Sequence, residues 1–462
     1  MSYFGWASIA RIGLIQACLG SIVVLTTSTL NRVMVVELAL PALLPGLLVA
    51  FHYVVQITRP RMGHGSDVGG RRTPWIVGGM AVLGAGGVLA ALAVGWMASE
   101  PASGIALAVF AFGLIGLGVS ASGTSLLVLL AKRVAPQRRA AAATAVWIMM
   151  IAGFVVTAGV TGKLLDPYSP ARLLQISMGV ALIAFCITLV AIYRLEGEVQ
   201  SVPQPIDKHA TELPGELAAK PRFFDVLREV WQEAEARRFT IFIFTSMLAY
   251  SAQDLILEPF AGTVFGFTPG ESTSLAGLQH GGVLAGMLLA AFAGTQFGGK
   301  QIGTLRGWTM WGCLASAVAL MGLVVAGQVG PAWPFKANVF VLGVANGAFS
   351  IAAIGSMMRL ASEGREAREG VRMGLWGASQ AIAFGLGGLV GAAGSDLARV
   401  WIASPGTAYG TVFFAESVLF IVAAVLAARI SQATVRSAES GISPQAGSSR
   451  PERAAELLQS RQ

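Results

Sequence analysis

The stretch Gly63-His64-Gly65-Ser66-Asp67-Val68-Gly69-Gly70-Arg71-Arg72-Thr73-Pro74-Trp75 is a polar hinge between two long apolar runs. It carries an Asp, two Arg and four Gly in a chain that is 55% hydrophobic and only 12% charged. On either side the chain is apolar for lengths that match ~30 Å of hydrocarbon, and the pattern repeats along all 462 residues at a mean hydropathy of +0.68. No globule has an interior large enough to hide so many such runs, so the chain reads as an integral membrane protein. The runs lack the two-residue alternation of a barrel strand, which leaves helices as the way to satisfy the backbone.

Twelve apolar spans are expected, at roughly 9–30, 41–58, 74–97, 103–131, 140–165, 172–194, 239–265, 272–296, 303–328, 334–360, 371–395 and 405–430. The first, which begins with no small-residue cleavage site after a short apolar core, reads as a retained helix. Connections after even-numbered spans are basic: Arg59, Arg61, Arg71 and Arg72, then Lys132, Arg133, Arg138 and Arg139, then Lys300 and Arg306, then Arg359, Arg365, Arg368 and Arg372. Those after odd-numbered spans hold only Arg32, Lys163, Arg172, Lys336 and Arg399. By the positive-inside rule both termini face the cytoplasm. The net charge of +8 thus reports topology, and no nucleic-acid partner is expected.

Shifting the chain by 229 positions superposes Gly69-Gly70-Arg71 on Gly298-Gly299-Lys300, Arg139 on Arg368, Trp147 on Trp376 and Gly162 on Gly391. Two homologous six-helix halves follow. The expected divisions are a first bundle over 1–196, a cytoplasmic linker over 197–238, a second bundle over 239–430 and a disordered tail over 431–462. Within the linker, Phe223, Leu227, Val230, Trp231 and Ala234 recur at helical spacing, which describes an amphipathic helix lying on the bilayer or docking a partner. Cys18, Cys186 and Cys313 sit apart in apolar runs and read as buried thiols. The spacing of Gly63, Asp67, Gly70, Arg71 and Arg72 resembles the loop between the second and third helices of the major facilitator superfamily. That resemblance implies an all-α fold of two six-helix bundles, with this loop as a conformational clasp and Asp67 at the amino end of the third helix. The second-half loop has Gln296 in place of Asp67.

There is no phosphate loop, zinc motif or nucleophile elbow, and no enzyme is expected. The informative residues are polar ones inside the spans, each costly enough to suggest a role. Asn31, Arg32 and Glu37 end the first span, while Gln253, Asp254 and Glu258 stand in the seventh, its counterpart. One reading is a latch joining the halves through Arg32 with Asp254 or Glu258; the other leaves Arg32 and Glu37 at the water interface. His52 and His280, in corresponding spans, are competent ligands for the metal of a tetrapyrrole or else packing residues bonded across to a neighbour. Glu416 is either a structural carboxyl or a proton-linked site.

Longer segments carry a closer resemblance: TLNRVMVVEL (29–38), RPRMGHGSDVGGRRTPWIVGGMAV (59–82), LLDPYSPARLLQ (164–175), QDLILEPFAGTVFG (253–266) and REAREGVRMGLWGASQAIAFGLGGL (365–389). They are similar to the PucC / LhaA family, also called the bacteriochlorophyll delivery family, a branch of the facilitator superfamily in photosynthetic bacteria. The resemblance implies a factor that delivers or chaperones bacteriochlorophyll into light-harvesting antenna polypeptides in the intracytoplasmic photosynthetic membrane. It requires no cofactor, carries bacteriochlorophyll as cargo, and has antenna polypeptides, membrane lipids and pigment-synthesis enzymes as partners. His52 and His280 then become candidate pigment ligands. Two alternatives stay open. A secondary transporter would present ionisable groups to a central cavity from both halves, whereas these charges fall near the outer end among small residues. A pigment-free chaperone would bind antenna helices through the Gly-rich face of Gly385, Gly387, Gly388, Gly391 and Gly394.

Overall fold

The computed structural model describes residues 3–59, 62, 71–135, 138–196, 228, 231–294, 303–362 and 369–440. Gly63, Asp67 and Gly70 of the clasp, and Phe223, Leu227 and Val230 of the amphipathic segment, lie outside these residues. Among the described residues every regular element is helical. In chain order the helices are α1 (Trp6–Glu37), α2 (Leu43–Val55), α3 (Thr73–Met97), α4 (Pro101–Arg133), α5 (Arg139–Leu165) and α6 (Pro170–Ile192) in the first half. The second half holds α7 (Ala234–Phe265), α8 (Pro269–Gly294), α9 (Leu305–Val329), α10 (Phe335–Ser362), α11 (Glu369–Trp401) and α12 (Pro405–Ser440).

Local sequence sets the helix ends. Proline opens α4, α6, α8 and α12, where its missing N–H costs nothing. Ser169 caps α6 by accepting the Arg172 amide at 3.1 Å, and Thr304 caps α9 by accepting that of Gly307 at 3.0 Å. Gly266 ends α7 in the left-handed region at φ 70°. Eleven of the helices are long and apolar enough to cross a membrane. The exception is α2, which with its closing 3-10 turn runs only from Leu43 to Thr58, about 24 Å at helical rise.

Two boundaries and one burial depart from the sequence expectation. α1 continues to Glu37, through two π-helical turns at Leu25–Thr29 and Val33–Glu37. α12 continues to Ser440, ten residues into the stretch expected to be a disordered tail, because its Ala, Gln and Arg residues are good helix formers. Cys186 is exposed on α6 rather than buried, since α6 turns much of its surface outward.

Buried apolar side chains of α7 to α12 form one cluster around Phe260, whose ring meets Phe265, Phe335, Tyr409 and Phe413 edge-on at 5.1 to 5.6 Å. Those of α1 to α6 gather mainly around Met80, Leu83, Phe112 and Ile115, joined by Leu255 of α7. Two bundles therefore face one another across an interface that holds the candidate functional site.

At the end where α1 begins, Glu196 organises the start of α3. Its carboxylate accepts the Arg72 amide at 2.7 Å, the Thr73 amide at 2.9 Å and the Thr73 hydroxyl at 2.7 Å. Arg71 is exposed and Arg72 half-buried, with Arg72 Nη1 at 4.0 Å from Glu196. The carboxylate expected at this helix start from the motif was Asp67; the described structure supplies one from the far end of the first half. Burial pushes the Glu196 carboxyl up, but the Thr73 hydroxyl, the two amides and the Arg72 charge outweigh it and hold it below the usual carboxylate range. A depressed carboxylate contributes stability above its unfolded pKa and loses it as pH falls through the folded value. Glu196→Gln is therefore expected to cost about 1 kcal/mol at neutral pH and nothing once both forms are protonated, measured as thermal unfolding in detergent from pH 7 to pH 3.

Candidate functional site

Between the halves lies a cavity of about 490 Å³ lined by α1, α2, α4, α5, α7, α8, α10 and α11. Its wall reaches from Gln16, Arg59, Met357 and Gly377, toward the end where α1 begins, to Ser28 and Glu258. Beyond Glu258 the helices close together. The cavity is thus open toward the side of the basic loops and sealed on the other, here called the far side.

Three sets of contacts make the seal. Asp166, at the end of α5, accepts the Thr268 hydroxyl at 2.7 Å and the Gly270 amide at 3.2 Å, holding the start of α8. Asp396, near the end of α11, accepts the amides of Ala42 and Leu43 at 3.0 and 2.7 Å, holding the start of α2. Each carboxylate meets amides that a helix start leaves without internal partners, at the positive end of the helix dipole. The two sites are 230 residues apart, one off the sequence repeat, so they are symmetry-related clasps. Behind the first, a Cβ on Gly162 would lie 2.3 Å from Ser274 Oγ and one on Gly270 2.4 Å from Gly162 O. Both positions need glycine, and Gly270→Ala is expected to force α5 and α8 apart and lower the unfolding temperature by several degrees in a detergent melt.

The third contact runs through the long α1. Arg32 ion-pairs with Glu37, donates to the Phe267 carbonyl at 2.5 Å and approaches Ser272 Oγ at 3.3 Å. The proposed pairing of Arg32 with Asp254 or Glu258 is therefore corrected: Arg32 does bridge the halves, but onto the α7–α8 connection. Glu37, five residues on and brought round by the π turn, supplies its counter-charge. Glu258 instead accepts from Ser28, and Thr29 meets Thr273 at 3.0 Å. The widened π turns aim these α1 groups at α7 and α8.

Asn31 answers a backbone problem. Pro259 lies inside α7 and has no N–H for the carbonyl of Leu255, four residues before it. Asn31 Nδ2 donates to that carbonyl at 2.7 Å from the other half of the molecule. Gln253, fully buried, and Glu416, 2% exposed, have side-chain atoms without a hydrogen-bond partner; Glu416 is not on the cavity wall.

His52 and His280 do share the cavity wall, one from each half. His52 Nδ1 lies 2.6 Å from the Val49 carbonyl, and His280 Nδ1 2.8 Å from that of Ala276. A carbonyl only accepts, so in the neutral rings Nδ1 carries the proton and Nε2 keeps its lone pair. Phe154 packs edge-on to His280 at 5.0 Å, and Tyr53 and Phe384 stack across the halves at 6.1 Å. Asp254 and Glu258 line the deeper part.

Two sequence expectations fail here. Ionisable groups do face the cavity from both halves, because one face of α2 and one of α7 turn inward. The Gly-rich face of α11 is not free for client helices: Gly387, Gly388 and Gly391 lie against α7, Gly385 against Tyr53 and Gly394 against Val412. Asp166, Asp396, Glu196 and Arg59 went unassigned from sequence. The spacing of Asp166 and Asp396, both at span ends and 230 apart, was the available signal for the clasps.

Comparison with known proteins agrees with this architecture. Solved structures similar to this chain include a bacterial homologue of the human lysosomal transporter Spinster in an inward-facing, unoccupied conformation, with TM-score 0.68, 14% identity, 93% of this chain and 97% of that one covered. A D-xylose-proton symporter has TM-score 0.67, 13% identity and coverage of 92% and 97%. These place the chain in the major facilitator fold. Among curated relatives, the Rhodobacter capsulatus protein named "Bacteriochlorophyll synthase 44.5 kDa chain" is 54% identical, covering 92% of this chain and 95% of that one. "Protein PucC" of the same species is 30% identical, covering 90% of each. Residues 29–435 match the family described as PUCC protein, and the chain belongs to that family.

Proposed function

We propose that this protein is an assembly factor for light-harvesting antenna complexes that holds bacteriochlorophyll in its central cavity and hands it to antenna polypeptides. Membership of the PucC family implies a role in photosynthetic complex assembly. The observation that carries the finer reading is the pair of imidazoles, His52 and His280, on one cavity wall, each with Nδ1 held by its own helix and Nε2 left as a ligand. A neutral imidazole is a suitable axial ligand for the magnesium of a chlorin, and aromatic side chains beside both rings suit a flat macrocycle. The word synthase in one relative's name is not carried over; the proposed action is binding and transfer without catalysis. The basic loops at the cavity mouth support a cytoplasmic opening by the positive-inside rule.

The test is pigment content after purification in mild detergent. Bacteriochlorophyll is expected to copurify, and His52→Phe or His280→Phe to reduce it roughly tenfold, equivalent to about 1.4 kcal/mol of binding, or to shift its absorption. Unchanged pigment in both variants removes the histidines as ligands. A deletion strain is expected to lose one antenna absorption band, which identifies the complex served. The gated cavity also supports a second reading, transport of a small solute by alternating access, for which flux in proteoliposomes is the measurement.

A further inference from the structure

One face of α2 and its closing turn presents Val49, His52, Tyr53, Gln56 and Arg59 to the cavity, a spacing of three, one, three and three residues that keeps them on a single helical stripe. The stripe grades from apolar depth, through imidazole, phenol and amide, to a guanidinium near the mouth. Arg59 is the sole Lys or Arg among the described residues of the cavity wall. It is exposed and lines the cavity, and among the described residues its hydrogen bond goes to Gln56 Oε1, a neutral group that orients it without neutralising it. The carboxylates on the wall, Asp254 and Glu258, lie on α7 in the other half of the molecule.

An oriented guanidinium, the sole one among the described residues of an apolar, aromatic chamber, is an arrangement that captures the anionic head of an amphiphile. As the ligand enters it displaces the water around Arg59, and a carboxylate replaces that water with a charge-assisted bidentate bond. Arg59 follows His52 by seven residues, about 11 Å along the helix, a span comparable with that from the centre of a tetrapyrrole to the end of its propionate arm once the long arginine side chain reaches back.

We propose that α2 holds its cargo at two points, the ring at His52 and an anionic carboxylate at Arg59, so that the site prefers a magnesium tetrapyrrole whose propionate is a free acid over the esterified pigment. This rests on the pigment reading above and narrows it to a substrate class. The cargo received is then the free-acid precursor, and esterification of its propionate, which removes the negative charge and releases the Arg59 contact, precedes transfer of the finished bacteriochlorophyll to antenna polypeptides.

The experiment titrates the purified full-length protein in non-ionic detergent with bacteriochlorophyllide a and with its methyl ester, which share a ring and differ in charge, following binding by absorption and fluorescence. The free acid is expected to bind about tenfold more tightly than the ester. Arg59→Gln is expected to erase that preference by lowering free-acid affinity about tenfold toward that of the ester, and Arg59→Lys to keep part of it; size-exclusion profiles confirm that both variants are folded. Equal affinities in the parent protein, or a preference that survives in Arg59→Gln, overturn the Arg59 assignment and leave the pigment reading standing. Binding of neither pigment overturns both. A parallel arm adds phosphatidylglycerol: Arg59-dependent lipid binding without acid-over-ester discrimination identifies the anion as a lipid phosphate and overturns the carboxylate assignment.

Discussion

Replacing Asp166 and Asp396 together by Asn is expected to open the far side of the cavity. Each carboxylate joins one half of the molecule to the first amides of a helix in the other, Asp166 to α8 and Asp396 to α2. Hydrogen bonds to a charged group contribute about 2 kcal/mol each clasp, helped by the helix dipole, and Asn keeps one acceptor while turning an N–H₂ toward N–H donors. Losing both removes roughly 4 kcal/mol from the closed arrangement, or on the order of 10³ in the ratio of closed to open states. The α1 contacts, Arg32 to Phe267 and Ser272 and Thr29 to Thr273, then hold the seal without either clasp. A single cysteine at Thr27 on the cavity wall, in a chain with the three native cysteines replaced by Ala, reports the change. The cysteine is expected to react with a membrane-impermeant maleimide from the far side only in the double variant. Labelling that stays confined to the basic-loop side would show that the clasps do not gate. The single variants, each keeping one clasp, are expected to fall between.

Asn31→Leu is expected to destabilise the protein by about 2 kcal/mol, and Pro259→Ala to cancel most of that loss. The buried Leu255 carbonyl has no partner in its own helix because Pro259 has no N–H, and Asn31 is its donor. Leaving a buried carbonyl unpaired costs ~1–3 kcal/mol, more where no water reaches. Restoring an N–H at 259 gives the carbonyl a partner within α7, so the double variant needs Asn31 no longer. A thermal-melt double-mutant cycle measures the coupling. Additive single effects would mean that Asn31 acts through packing alone. The cycle also separates helix repair from function, since Pro259→Ala by itself straightens α7 beside Asp254 and Glu258 and is expected to change cargo binding without loss of stability.

The loop at 63–75 and the charge alternation made the fold legible, since the backbone in hydrocarbon has few options and basic loops repeat with the helices. The polar residues of the first and seventh spans were legible as important for the same reason: Asn31, Arg32 and Glu258 are each too costly to be incidental in an apolar run. Their partners were not. Arg32 pairs with Glu37 only because a π turn shifts the helical register, and the Arg32 target at Phe267 is a backbone carbonyl, which carries no side-chain signal. Asp166 and Asp396 were missed because an acid at a span end looks like any interface residue until the opposing helix start is placed against it.

By itself the sequence determined that this chain is a helical membrane protein of two repeated halves and singled out a handful of polar residues within its apolar spans. Those conclusions rest on periodicity, length and solvation cost, which are local. Only the tertiary structure decided that His52, Arg59, Asp254, Glu258 and His280 face one cavity, that α11 spends its glycines on α7, and that the far side is shut by two related carboxylates. Helical rotation and the pairing of α2 with α11 and α5 with α8 set those contacts. They arise between residues separated by more than a hundred positions, where no local pattern encodes which face meets which.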